Sequence, residues 1–159
     1  MSTNPNFVTG KDEWTNYCQR CVPVYELRRR GIDIIAKPWP GEGDYLSGKG
    51  LFEIFDNAEV IDCRSGTGER EIEALMKEWG DGARAEIYVA WKGGDAHVFV
   101  AENVGGKIRY MCPQSGNMDY SDCFKRVKDK CTEICRLDTL TPSQLITECC
   151  ESVVKEVNS

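Results

Sequence analysis

Apolar and polar positions alternate at helical spacing most clearly over residues 69–79, where Ile72, Leu75, Met76 and Trp79 share one side and Gly80 follows. That spacing predicts a helix with one buried face, and the stripe reads as core packing. Downstream the period shortens to two. Ala85 to Trp91 reads as a strand, Lys92-Gly93-Gly94-Asp95 as its turn, His97 to Asn103 as a second strand, Val104-Gly105-Gly106 as another turn, and Lys107 to Cys112 as a third strand. Three consecutive antiparallel strands make a meander. Nearer the N-terminus, Val22 to Arg30 reads as a helix stopped by Gly31, with Pro23 acceptable in its first turn. Ile32 to Ala36 alternates as a short strand. Residues 37–50, with two Pro and four Gly, read as a loop able to rim a groove. At the other end, Thr141-Pro142 has the form of an N-cap followed by proline at the first helical position. A helix to about Val157 is expected there, burying Leu145, Cys149 and Val153.

Composition narrows the class. The chain has 159 residues, enough for one domain with a sizeable core, and its apolar and charged fractions of 41% and 29% are those of a globular protein. A formal charge of −6 argues against nucleic acid as the main partner. The cluster Arg28-Arg29-Arg30 is explained most simply by the dipole at a helix C-terminus. No run of about 20 apolar residues is present, so no membrane span is expected. The first six residues lack the apolar region of a signal peptide, and the domain reads as cytosolic, with a fragment of a larger exported chain as the alternative.

Candidate chemistry rests on nine cysteines and one histidine. Cys18-Gln19-Arg20-Cys21 precedes the first helix, and His97 opens a strand. A cysteine at a helix start followed in the chain by a histidine entering a strand is the layout of a papain-type thiol site. The helix N-terminus and the imidazole together stabilise a reactive thiolate. If the strands at 97–103 and 107–112 pair around their turn, positions 97 and 112 fall opposite each other or within one residue, with Cβ atoms about 5 Å apart. Cys112 is therefore the expected neighbour of the imidazole, where a triad would place Asp or Asn. Other readings carry less weight. Cys18-x-x-Cys21 with Cys131-x-x-x-Cys135 has zinc-like spacing in its first half, but more than a hundred residues separate the halves. A thioredoxin-like motif would need a preceding strand. Gly66-Thr67-Gly68 is too short for a phosphate loop and reads as a turn. The remaining thiols fit a reduced core.

Taken in order, the blocks Asn4-Pro5-Asn6-Phe7, Cys18-Gln19-Arg20-Cys21-Val22 through Tyr25 to Gly31, Ala96-His97-Val98-Phe99-Val100-Ala101-Glu102 and Pro113-Gln114-Ser115-Gly116 resemble the papain-fold toxin domain of the glutamine-deamidase type. That family occurs in bacterial polymorphic toxins and phage head-morphogenesis proteins. The segment from Arg136 to Glu151 also fits. The resemblance implies an α+β, papain-like fold over residues 1–159, with an N-terminal nucleophile helix packed on an antiparallel β-meander and additional helices. It implies thiolate attack on a glutamine carboxamide of a host protein, with a thiol protease as the alternative, His97 as base and then acid, and neither metal nor organic cofactor. Gln114 would contact the substrate or the oxyanion. A cognate immunity protein would be a further partner, and delivery into a target cell would be as part of a larger protein.

Two departures from the family pattern leave alternatives open. Tyr17 separates Asn16 from Cys18, so the nucleophile is Cys18 by family pattern or Cys21 by the position of Pro23. Cys112 also stands where the family has Asp. A neutral thiol is a poor partner for an imidazolium. The outcome is a weakened enzyme, a pseudoenzyme that only binds, or rescue by Gln114, Asp119 or a Cys112 thiolate.

Overall fold

The computed structural model of the chain describes residues 18–37 and 54–152, without the side chains of Cys18, Gln19 and Glu148. These residues form an α+β fold. Helix α1 spans Cys18–Arg29 and is followed by β1 (Ile34–Ala36), β2 (Phe55–Asp56), β3 (Ile61–Cys63), helix α2 (Glu69–Trp79), β4 (Arg84–Ala90), β5 (Ala96–Val104) and β6 (Lys107–Met111). A 3₁₀ turn at Ser121–Arg126 leads to β7 (Thr132–Arg136), β8 (Thr141–Pro142), the short helix α3 (Ile146–Cys149) and β9 (Cys150–Ser152). The main sheet has the order β3-β7-β4-β5-β6, and every pairing in it is antiparallel. The expected meander is its β4-β5-β6 part. Strand β7 inserts between β3 and β4 from far along the chain, an element that no strand-like run in the sequence singles out.

Both faces of the sheet are covered. Ile87, Phe99, Ala101, Tyr110 and Ile134 point to one side and pack with Ile72 and Met76 of α2. Val98, Val100, Met111 and Cys135 point to the other and pack with Val22 of α1. Helix α2 has the bounds its spacing predicts, and Gly80 (φ +93°) ends it by donating its N–H to Met76. Its entry is tight. At Gly68 (φ +84°) a Cβ atom would lie 2.9 Å from the Cys63 carbonyl oxygen and 2.9 Å from Thr132 Cβ. Gly66-Thr67-Gly68 is a turn, closed by the Gly68 N–H on Ser65 and braced by the Thr132 hydroxyl on the Thr67 carbonyl.

Helix α1 differs from expectation at its start. It begins four residues earlier than Val22, so Pro23 lies in its interior. Proline there forgoes one backbone bond, at a cost of about 3 kcal/mol in an exposed helix. Tertiary contacts offset that cost here, because α1 is buried on two sides. Val22 and Tyr25 meet the sheet, while Cys21, Val24 and Leu27 pack with Ile34 and Ala36 of β1. Gly31 (φ +90°) ends the helix, and the Ile32 N–H closes on Leu27. Charge secures the docking. Glu26, 1% exposed, accepts from Arg30 Nε at 2.9 Å and from Arg84 of β4 at 2.6 and 3.0 Å. Glu102 of β5 is likewise buried and is held by Arg29 and, at 2.9 Å, by the Tyr25 hydroxyl.

The C-terminal segment corrects the sequence reading. Thr141-Pro142 is a strand paired with Phe55-Asp56 rather than a helix start. Among the described residues after Pro142 only Ile146–Cys149 is helical, and Cys150–Ser152 pairs with β1. Strand partners from distant parts of the chain override the local capping pattern. Residues 153–159, the block around Asn4, and most of the proposed groove-rimming loop lie outside the described residues.

Candidate active site

His97 is the second residue of β5, and its neighbours identify the face it occupies. It pairs with Val89, which is buried on the α2 side, and its ring lies among Trp91, Phe99 and Tyr120 at centroid distances of 5.9, 6.4 and 5.8 Å. Burial is the main cause of a low imidazole pKa, with the Arg126 guanidinium adding to it, and together they push it down to about 4. The ring is therefore neutral at pH 7, able to accept a proton but not to act as a standing imidazolium. Arg126 itself sits 5.0 Å over the Trp91 ring.

The Nε2 atom of His97 lies 3.4 Å from the Sγ of Cys112. The expected neighbour is thus in contact, although the register differs from the sequence reading. Val104 pairs with Lys107 and Val100 with Met111, so the turn is the two-residue Gly105-Gly106. Continuing that register puts Phe99, not His97, across from Cys112. The two side chains meet diagonally on one face of the sheet, where long side chains still reach each other. Beyond Met111 the chain leaves the ladder. Cys112 bridges to Asn117, its N–H bonding the Asn117 carbonyl and its own carbonyl accepting from Gly116. Gln114 lies in this turn and is buried.

The two cysteines of the first motif take different places. Cys21 is fully buried with Val24, Leu27, Ile34 and Ala36, on a side of α1 that does not face β5. Its helix packs on the sheet face opposite the one carrying His97. Cys18 is the first residue of α1. It stands one turn before Val22 and two before Tyr25. Since Tyr25 reaches Glu102 and Val22 reaches Val98 and Val100, the helix start lies toward the His97 end of β5. The alternative pairing of Cys18 and Cys21 with Cys131 and Cys135 is not assembled, since Cys135 packs with Val98 and Val100 rather than with Cys21. Among the described residues no cluster of three or more His, Cys, Asp or Glu is placed to hold a metal ion. No described helix is long and apolar enough to cross a membrane.

A groove of about 650 Å³ opens beside Cys112, between α1 and the β5–β6 hairpin. Tyr25, Arg28 and Arg29 form its helix wall, and Glu102, Arg109 and Met111 its sheet wall. Such a volume is typical of ligand clefts. Sequence reasoning assigned Arg28 and Arg29 to the helix dipole alone and missed Arg109. The strand alternation would have found it, because Arg109 is the cross-strand partner of Glu102. The surroundings of His97 were missed as well, since Tyr120 and Arg126 reach it from the irregular segment after β6. No family model matches this chain, and no curated protein matches it.

Proposed function

We propose that this chain is a thiol-dependent amidohydrolase that hydrolyses a carboxamide, most readily a glutamine side chain of a host protein. The observation that carries the reading is the 3.4 Å approach of the His97 Nε2 to the thiol of Cys112, a residue that also belongs to the lining of a ligand-sized groove. In this reaction the sulfur attacks the carboxamide carbon as its proton passes to Nε2, giving a tetrahedral oxyanion. The C–N bond then breaks, and the imidazolium returns that proton to the departing ammonia. Water, deprotonated by the same nitrogen, attacks the thioester. The C–S bond breaks to give glutamate and the free thiol. The neutral imidazole begins as the acceptor, and the burial that holds its pKa at about 4 makes it a weak base toward the thiol.

The family resemblance, with its papain-like fold, assigns the sulfur to Cys18, on a helix that packs against the sheet face opposite His97. The direct contact favours Cys112. A host-protein substrate and a cognate immunity protein, both acting at this groove in the cytoplasm of a target cell, belong to the same reading. The competing one is a binding module on the same fold. It is favoured by the ring contacts that clamp His97 and by the 3% exposure of Cys112.

Limiting alkylation with iodoacetamide at neutral pH, mapped by peptide mass spectrometry, separates these. Burial pushes the thiols of Cys63, Cys123 and Cys135 up to about 11, 12 and 12, so they should label last. The proposal expects Cys112 to label well ahead of them and to lose that lead in His97→Ala. A lead by Cys18 that depends on His97 returns the nucleophile to the helix start. Labelling that follows exposure and ignores His97 overturns the enzyme and leaves the binding module.

A further inference from the structure

The groove beside Cys112 has a charge unlike that of the whole chain. The molecule carries a formal charge of −6, yet among the described residues this groove collects three guanidinium groups, those of Arg28, Arg29 and Arg109, against one carboxylate, that of Glu102. Glu102 is already used, because Arg29 and the Tyr25 hydroxyl hold it from the helix side. Arg109 is exposed, and among the described residues its side chain makes no ion pair or hydrogen bond. Two exposed large apolar side chains, Val104 and Met118, line the same groove at 44% and 55% exposure. Positive charge and apolar surface thus lie together along a groove whose lining includes Cys112.

We propose that this groove binds an extended acidic segment of the substrate protein, with its carboxylates on Arg28, Arg29 and Arg109 and its apolar side chains on Val104 and Met118, and presents the adjoining carboxamide to Cys112. The inference rests on the amidohydrolase reading for the last clause only. Planar, forked guanidinium groups suit carboxylates because they donate two parallel hydrogen bonds. Charge complementarity of this kind sets partner choice and speeds encounter. It also predicts which glutamines would be modified, namely those flanked by Asp or Glu.

The test is equilibrium binding of a fluorescein-labelled peptide alternating Glu and Leu about a central Gln, followed by anisotropy. Its control is the same peptide with Lys in place of Glu. The acidic peptide should bind at least ~10-fold more tightly than the basic one. Arg109→Glu should weaken it by ~10-fold and Arg109→Gln by less, with unchanged circular dichroism, and added salt should weaken it further. His97→Ala should bind it like the wild type. Equal affinity for the two peptides, or indifference to Arg109→Glu, overturns the proposal. So does a single-stranded oligonucleotide that competes more tightly than the acidic peptide, which would make the groove a general polyanion site. The two readings fail separately. Selective binding without His97-dependent labelling refutes the enzyme and keeps the groove. His97-dependent labelling without selective binding refutes the groove and keeps the enzyme.

Discussion

The low pKa of His97 makes acid stability the sharpest test of how the site is built. The group's ordinary value is 6.5, and burial followed by Arg126 pushes it to about 4 in the folded chain. Between those values the unfolded chain binds a proton that the folded one refuses. Stability contributed by the neutral ring is thus fully present above pH 6.5 and is lost as pH falls through 4. The gap, at about 1.4 kcal/mol per pH unit, corresponds to about 3 kcal/mol, an upper value because the ring keeps some exposure. His97→Phe keeps a ring among Trp91, Phe99 and Tyr120 and removes the titration. Urea unfolding of both proteins between pH 7 and pH 4 should show the wild type losing up to about 3 kcal/mol more than the variant, since the carboxylate contributions cancel in the difference. With one histidine in the chain, the imidazole carbon resonances need no assignment and should titrate with a midpoint near 4. A midpoint of 6 or higher, or parallel pH profiles for the two proteins, would refute the reasoning.

Three further substitutions test the packing that holds the site. Glu26→Gln leaves Arg30 and Arg84 without their buried carboxylate and should cost about 3 kcal/mol in denaturant unfolding. Tyr110→Phe should be neutral or stabilising by about 1 kcal/mol in thermal melts, because the buried Tyr110 hydroxyl has no hydrogen-bond partner among the described residues. Gly68→Ala should destabilise by at least about 1 kcal/mol, through its positive φ and through the clash with Cys63 and Thr132, and should lower the melting temperature accordingly.

What could be read from the sequence depended on whether a segment has one buried side or two. Helix α2 has one, so Ile72, Leu75, Met76 and Trp79 mark it and its bounds follow. Helix α1 is buried on two sides, which erases the stripe and hides its first turn, and Pro23 then suggests a later start. The β4-β5-β6 meander was legible because Gly-rich turns punctuate it. The insertion of β7 beside β4 was not, since nothing in Thr132–Arg136 encodes its partner. At the site, the hairpin was enough to bring His97 and Cys112 together even with a shifted register. Which face His97 occupies was not legible. Val98, Phe99, Val100 and Ala101 are all buried, and alternation cannot distinguish two covered faces. That face is what separates His97 from Cys21.

The two buried carboxylates beneath α1 tie the groove wall to the sheet in a particular way. Glu26 is carried by the helix and neutralised in part by Arg84 of β4, while Glu102 is carried by β5 and neutralised by Arg29 of the helix. Each element thus holds the counter-charge of the other. Lifting α1 would strand an anion on both sides at once, so the helix has no inexpensive partial detachment. Amide exchange in α1 should then proceed at the rate of the central strands β4 and β5, as one cooperative unit rather than as a fraying N-terminal segment. Ligands entering the groove would meet a wall already in place, and their association rate should show no slow conformational phase.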